Sequence, residues 1–166
     1  MTEVLVAFAT RGGTTQSIAE RVGARLVEAG HAATVAPVQD NPDPAAYEAV
    51  VLGSGVLGGS VYPAAGEWAT ARRAALGARP VALFVTCLGV LAADAQQRCT
   101  AQDYPHQLAA ILPGDPLAAA VFAGAYEPVR RRRWERLAAR LNRAPRGDFR
   151  DWDAVDGWAR GLAGRL

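Results

Sequence analysis

The segment E-V-L-V-A-F-A-T-R-G-G-T-T, from Glu3 to Thr15, indicates the fold class. It is almost continuously apolar up to Ala9, a pattern typical of a strand that is covered on both faces. Glycine and threonine follow at once, and Ile18, Val22 and Leu26 then recur at helical spacing. We therefore predict a strand, a Gly/Thr turn and a helix, which form the opening unit of a parallel α/β sheet.

The same alternation of strand and helix continues along the chain. Apolar runs predict further strands over Ala33–Val38, Ala49–Ser54, Pro80–Cys87 and Leu117–Ala123. Helical spacing predicts helices from Ala65 to about Leu76, over Ala101–Leu112 and Arg130–Arg143, and after a cap at Asp151. Parallel strands that are joined by crossover helices form a doubly wound α/β sheet. We therefore expect one five-stranded sheet in a single domain over residues 1–166.

Composition excludes several classes of chemistry. All 18 basic residues are arginine, which excludes reactions that need a lysine. The chain has only two cysteines and two histidines, and we predict no metal. The sequence brings no Ser, Cys or Asp partner near His31 or His106, so we expect both at the surface. Without an export signal or an apolar run as long as a membrane span, the expected location is the cytoplasm.

Charge is distributed unevenly along the chain. Residues 1–127 hold seven arginines against eleven acids, whereas residues 128–166 hold eleven arginines against five acids. The densest part, Arg130 to Arg133, belongs to an extra basic helical segment at about residues 128–147, between the fifth strand and the last helix. This Arg-rich segment suits anions or an acidic membrane surface, and its pattern is equally typical of a solvated helix face. It has no interleaved stacking platform, so we expect no nucleic acid.

Ligands of doubly wound sheets lie beyond the carboxyl ends of the strands, so function is expected in the loops that start at Thr10, Gly53 and Cys87. In the first loop, Gly12 and Gly13 let backbone N–H groups converge at a helix start, and threonine hydroxyls can donate hydrogen bonds. We predict that this loop is a phosphate cradle. The same composition is also typical of a glycine turn with threonine caps.

We predict that the second and third loops form two walls around a flat ligand. The motif Gly53-x-Gly55-x-x-Gly58 formally matches a dinucleotide fingerprint, but it follows the third strand rather than the first. We interpret it as a flexible wall with Val56, Leu57 and Tyr62 as contacts. The third loop, C-L-G-V-L from Cys87, is the opposite apolar wall, and Cys87 itself is expected to be a small buried residue rather than a reactive thiol.

Four segments carry a resemblance to a known family. They are V-A-F-A-T-R-G-G-T-T-Q-S-I-A (Val6–Ala19), V-V-L-G-S (Val50–Ser54), A-V-F-A-G-A-Y (Ala120–Tyr126) and D-F-R-D-W-D-A-V (Asp148–Val155). Together they resemble the menaquinone-dependent protoporphyrinogen oxidase family, which has a flavodoxin-like fold. The resemblance implies the strand order 2-1-3-4-5, helices on both faces of the sheet and FMN as the cofactor.

The resemblance also implies which residues bind FMN, although it indicates no catalytic side chain. The phosphate would lie in the first loop, where the Arg11 side chain is expected to point outward, and the isoalloxazine ring would lie between the two walls. The implied cofactor-binding residues are Thr10, Arg11, Gly12, Gly13, Thr14, Thr15, Ser54, Gly55, Val56, Leu57, Gly58, Cys87, Leu88 and Gly89.

The implied function is that of an FMN-dependent oxidoreductase, which moves hydride or electrons between a ring substrate and a quinone or another acceptor. A carboxylated substrate would pair with Arg130, Arg131, Arg132 and Arg133, or these arginines would hold the protein at the inner membrane face. The walls from Gly55 to Gly59 and from Cys87 to Ala95 lack the aromatic residues that commonly stack on a flavin. One alternative is therefore a secondary-metabolite tailoring enzyme with weak or lost FMN binding, and another is a flavodoxin-type electron carrier.

Overall fold

The structure is a computed structural model that describes residues 1–126 and 147–166. Strands and short helices alternate along most of the chain. The elements are β1 (Glu3–Ala9), α1 (Thr14–Glu28), β2 (Ala32–Pro37), β3 (Ala49–Leu57), β4 (Ser60–Val61), α2 (Pro63–Ala71), α3 (Arg73–Gly77), β5 (Val81–Thr86), α4 (Ala95–Ala109), β6 (Ala118–Phe122), β7 (Ala125–Tyr126), β8 (Gly147–Asp148) and α5 (Trp152–Ala163).

The long strands form one parallel sheet in the order β2-β1-β3-β5-β6. The predicted parallel α/β sheet is thus confirmed. Counted along the chain the order is 2-1-3-5-6 rather than 2-1-3-4-5, because the prediction did not include β4, a two-residue strand that pairs antiparallel with the end of β3. A separate antiparallel ribbon joins β7 to β8.

Two hydrophobic layers enclose the sheet. In β1, Val4, Val6 and Phe8 pack with residues of α1 and α5 on one face. Leu5 and Ala7 point to the opposite face, where residues of α2, α3 and α4 cover them. Because successive side chains of a strand alternate between faces, this continuous apolar run is buried on both sides. Helices therefore lie on both faces of the sheet, as predicted.

A buried carboxylate joins α1 to α5. Asp156 accepts hydrogen bonds from Arg21 Nε at 2.6 Å and Arg21 Nη2 at 2.8 Å, and from Arg25 Nε at 3.0 Å. The hydrogen bonds from Arg21, more than the charge of either arginine, lower the pKa of Asp156 to about 2. Asp151 caps α5 as predicted, because its carboxylate accepts the Ala154 N–H at 3.0 Å.

Several predicted boundaries need correction. β3 continues through Leu57 instead of ending at Ser54, because β4 supplies a partner for its last residues. The predicted helix from Ala65 to Leu76 begins at Pro63 and is interrupted at Arg72, which separates α2 from α3. Proline is well suited to the first turn of a helix, where its missing N–H leaves no bond unmade.

α4 begins at Ala95 rather than Ala101, because the Asp94 carboxylate caps it by accepting the Gln96 N–H at 3.2 Å. His106 is exposed, as predicted, but its Nδ1 lies 3.6 Å from Asp103 Oδ1, so the expectation of no Asp partner near it is wrong. His31 is half-buried, which corrects its expected surface position: its Nε2 lies 3.2 Å from the Ala163 carbonyl oxygen.

The predicted basic helix over Arg130–Arg143 lies outside the described residues. Of the Arg-rich segment, only Gly147 is described, as the first residue of β8. Among the helices in the described ranges, none is both long and apolar enough to cross a membrane. Residues 1–126 and 147–166 also contain no group of three or more His, Cys, Asp or Glu that could hold a metal ion.

Candidate functional site

The sheet register brings the three predicted loops together at one edge. Ala9 of β1 lies beside Ser54 of β3, and Gly55 lies beside Thr86 at the end of β5. Since these strands are parallel neighbours, the chain leaves each of them on the same side of the molecule. We call this side, with the loops that follow β1, β3 and β5, the carboxyl edge. It is where the doubly wound architecture places ligands.

The loop after β1 has the geometry of an anion cradle. Gly13 has a left-handed φ of 83°, which favours glycine, and it stands directly before α1. Within residues 1–126 and 147–166, no side chain caps the start of α1, and no heavy atom beyond the adjoining residues lies within 4 Å of the position that a Cβ on Gly12 or Gly13 would occupy. The first N–H groups of a helix have no partner within the helix, so this open helix start suits a phosphate. We call residues 10–15 the phosphate cradle.

The threonine hydroxyls of the cradle make contacts within the protein. Thr10 Oγ1 accepts the Gly13 N–H at 3.0 Å and closes the turn. Thr14 Oγ1 donates to the Ala125 carbonyl oxygen at 3.1 Å. The prediction had these hydroxyls donating to the phosphate, but the Thr14 hydrogen is already used. Because Thr10 Oγ1 only accepts within the described residues, its hydrogen remains a donor for an anion, together with the backbone amides at the start of α1.

A buried pair of hydroxyls lies beneath the cradle. Thr15 Oγ1 and Thr86 Oγ1 are 2.7 Å apart, and both residues are buried. Buried polar groups need a partner, so this pair ties the start of α1 to the end of β5. Thr86 is not among the residues predicted for the site. The available signal was a threonine at the end of the apolar run V-A-L-F-V-T, because a polar residue in a buried strand requires such a partner.

The second loop, predicted as a flexible wall, folds as a β-hairpin. Gly58 and Gly59 have φ values of 60° and 84° and turn β3 back into β4. Ser54 is buried, and its hydroxyl donates to the Gly55 carbonyl and accepts the Tyr62 N–H, so its side chain supports the hairpin. The Tyr62 ring covers Gly55, since a Cβ there would stand 2.4 Å from a ring carbon. This hairpin, residues 55–61, is the hairpin wall.

The third loop folds into a short 3₁₀ turn over Leu88–Leu91. Cys87 is half-buried, and its Sγ accepts the Gly89 N–H at 3.1 Å. Burial raises the pKa of the Cys87 thiol, which keeps it neutral and unreactive near neutral pH. The neutral thiol fits the expectation that Cys87 is not reactive, whereas its half-buried position corrects the expectation that it is buried. Gly89 has little space, because a Cβ there would lie 3.2 Å from both Ala101 Cβ and the Cys87 sulfur. We call residues 87–91 the turn wall.

Exposed apolar side chains lie on both walls. In the described part of the chain, the exposed large hydrophobic residues are Met1, Val27, Leu57 and Leu91. Leu57 is 51% exposed on the hairpin wall, and Leu91 is 43% exposed on the turn wall. The carboxyl edge thus combines an open anion cradle with apolar surface from two neighbouring loops. These residues fit a ligand that has one anionic end and one flat apolar end, as FMN does.

Solved structures share this fold. Oxidised flavodoxin 2 from Bacillus cereus has a TM-score of 0.65 and 17% identity over 99% of each chain. A point mutant of flavodoxin from Pseudomonas aeruginosa has a TM-score of 0.63 and 14% identity over 99% of this chain and 98% of its own. Rubredoxin:oxygen oxidoreductase from Desulfovibrio gigas has a TM-score of 0.54 and 11% identity over 98% of this chain and 35% of its own. Identities this low show the fold alone.

No curated protein sequence gives a significant match to the chain. The comparisons with solved structures and with family models do not single out the protoporphyrinogen oxidase family. A model of the flavodoxin domain matches residues 5–153, a span that includes the cradle and both walls. This match bears out FMN as the predicted cofactor. The chain therefore belongs to the flavodoxin-domain family.

Proposed function

We propose that this chain is an FMN-dependent redox protein whose phosphate site is the cradle and whose ring site lies between the two walls. The observation that carries the proposal is the pairing of an uncapped helix start at Gly13 with exposed Leu57 and Leu91 at one edge of the sheet. When bound, FMN supplies hydride and single-electron transfer at its isoalloxazine ring.

The residues of the chain have distinct roles in this arrangement. Backbone amides at the start of α1 bind the phosphate, and the Thr15–Thr86 pair fixes that start against β5. Leu57 and Leu91 exclude water from the faces of the ring. The neutral Cys87 thiol supplies no nucleophile. The protein thus contributes binding, orientation and an apolar environment.

Titration with FMN tests the proposal. The protein should perturb the flavin spectrum and gain thermal stability with FMN, and it should prefer FMN to FAD because a single cradle accepts one phosphate group. Riboflavin, which lacks the phosphate, should bind more weakly. If FMN changes neither the spectrum nor the melting temperature, the proposal is wrong and the alternative of a tailoring enzyme that has lost the flavin replaces it.

At a finer level, we propose an oxidase that acts on a polycyclic ring substrate and passes electrons to a quinone. The four sequence segments that resemble the protoporphyrinogen oxidase family support it, and so do the exposed leucines of the walls. The Arg-rich segment contains eight arginines and one acid, which suits a carboxylated substrate or an anionic membrane. FMN-loaded protein should then oxidise protoporphyrinogen with a menaquinone analogue faster than free FMN does.

Replacement of Arg130, Arg131, Arg132 and Arg133 by glutamine tests the role of this charge. Turnover of the carboxylated substrate or binding to anionic vesicles should fall, and added salt should reproduce the loss in the wild-type protein. If turnover and vesicle binding were both unchanged in the variant, the arginines would only form a solvated surface.

A flavodoxin-type electron carrier is the second candidate. The described residues contain 14 acids against 10 arginines, and carriers usually dock their redox partners through acidic surface. A carrier would accept electrons from a flavodoxin reductase and pass them to a protein acceptor, without oxidising the porphyrinogen. The two assays, run on the same FMN-loaded protein, separate the candidates.

A further inference from the structure

The ribbon formed by β7 and β8 lies against the phosphate cradle. Ala125 pairs with Asp148, and Phe149 N–H donates to the Gly124 carbonyl oxygen at 3.2 Å. Thr14 of the cradle donates its hydroxyl to Ala125 and packs tightly on Gly124, where a Cβ would lie 3.3 Å from Thr14 Cγ2. The start of α1 and the ribbon therefore share a boundary.

Arg150 crosses this boundary. Its Nε donates to Asp148 Oδ1 at 2.8 Å, and its Nη1 donates to Ser17 Oγ at 2.7 Å. The guanidinium also lies 4.9 Å from the centre of the Trp152 ring. Hydrogen bonds from Arg150 lower the pKa of Asp148, so the partner carboxylate remains charged. Only 20% of the Arg150 side chain is exposed, and these contacts fix the direction of its fork.

Ser17 carries the connection into the cradle. Its hydroxyl accepts from Arg150 and donates to the Thr14 carbonyl oxygen at 2.8 Å. A hydroxyl has one hydrogen, so donation to Thr14 fixes the orientation in which it accepts from Arg150. A chain of hydrogen bonds thus runs from Asp148 through Arg150 and Ser17 to Thr14.

We propose that Arg150 is a positioning residue for the phosphate cradle, which it acts on through Ser17. The inference rests on the proposed FMN site. An anion site gains affinity when its donors are held in place before the ligand arrives, because binding then costs less ordering entropy. Arg150 lies next to the ribbon and holds the first turn of α1 in place through Ser17, although Ser17 and Arg150 are 133 residues apart in sequence.

The test compares FMN with riboflavin on the variant Arg150→Gln. Loss of the charged hydrogen bond should raise the Kd for FMN by about tenfold. The Kd for riboflavin should stay within about twofold of wild type, because riboflavin has no phosphate. Arg160→Gln is the matched control: Arg160 lies on α5, is 67% exposed and contacts Asp156 at 3.8 Å, so both affinities should be unchanged.

Ser17→Ala is the second variant, and it removes only the hydroxyl. It should weaken FMN about as much as Arg150→Gln does, and the double variant should lose little more, since both changes break one connection. Equal weakening of FMN and riboflavin, additive losses, or wild-type affinity in Arg150→Gln would each overturn the inference. Failure of the wild-type protein to bind FMN would instead overturn the proposed function, and this inference with it.

Discussion

The phosphate cradle and the two walls meet at one edge of the sheet, yet they are held in different ways. The cradle is fixed by directional contacts, which include the Thr10–Gly13 turn, the Thr15–Thr86 pair and the approach of Arg150 to Ser17. The walls end in partly exposed leucines, which offer contact area without fixed direction. Binding of a charged phosphate needs hydrogen-bond donors in fixed positions. Binding of an apolar ring needs only apolar surface that covers the ring. Substitutions should therefore have large effects in the cradle and small effects on the walls.

Gly13→Val should produce the largest effect. Valine is poorly suited to a φ of 83°, and strain of this kind costs about 1–3 kcal/mol. The loop would relax away from its anion-binding geometry, so FMN affinity should fall by roughly 10- to 100-fold. Fluorescence titration with FMN measures this. Gly114→Val is the control, because Gly114 is exposed, has no heavy atom near its Cβ position and lies outside the cradle. Equal affinity in both variants would contradict the assigned cradle.

Thr86→Val should come next. It leaves the buried Thr15 hydroxyl without its partner, which costs about 1–3 kcal/mol of unfolding free energy. FMN affinity should fall by up to about tenfold as the start of α1 loosens. The double variant Thr15→Val/Thr86→Val removes both hydroxyls and should regain most of the stability in urea unfolding. A double variant that is no more stable than Thr86→Val would show that the pair does not act as a unit.

Leu57→Ser and Leu91→Ser should have smaller effects. Each side chain is about half exposed, so covering it with the ring contributes up to about 1 kcal/mol, or a few-fold in affinity. FMN and riboflavin should lose affinity equally, because the walls contact the ring and not the phosphate. The control is Val27→Ser, since Val27 is 53% exposed on α1 and lies outside the walls. A loss confined to FMN would contradict the division between cradle and walls.

The Asp156 contact that holds α1 against α5 should make the free energy of unfolding sensitive to acid. Near pH 7, the contribution of Asp156 should not depend on pH. Its pKa of about 2 is below the usual aspartate value, so the folded state favours the charged form. The resulting stability is fully present above about pH 4 and is lost as pH falls toward about 2. Urea unfolding between pH 5 and pH 2 should show a smaller decline in Asp156→Asn than in wild type. If Asp156→Asn and wild type declined equally, other carboxylates would cause the acid sensitivity. Asp115→Asn, at an exposed site, is the control and should decline as wild type does.

Local pattern was enough to predict the sheet, the first loop and the helix that follows it. The apolar run to Ala9 and the glycines before Thr14 lie close together in sequence and carry that information. The missed contacts depend on distant register: Thr86 meets Thr15 only because β5 lies beside β3, and Arg150 meets Ser17 across the molecule. The hairpin wall was missed for another reason. β4 has only two residues, which is too short to give a periodic pattern, and only Gly58 and Gly59 indicate the turn.

The β7–β8 ribbon has a consequence for how this protein can vary. Tyr126 pairs with Gly147, so the chain that departs at residue 127 returns to the point where it left. Sequences of different length can join these two attachment points without moving them. The ribbon is therefore a suitable position at which to exchange sequence. Chimeras that exchange residues 127–146 for other sequences should retain the cofactor site.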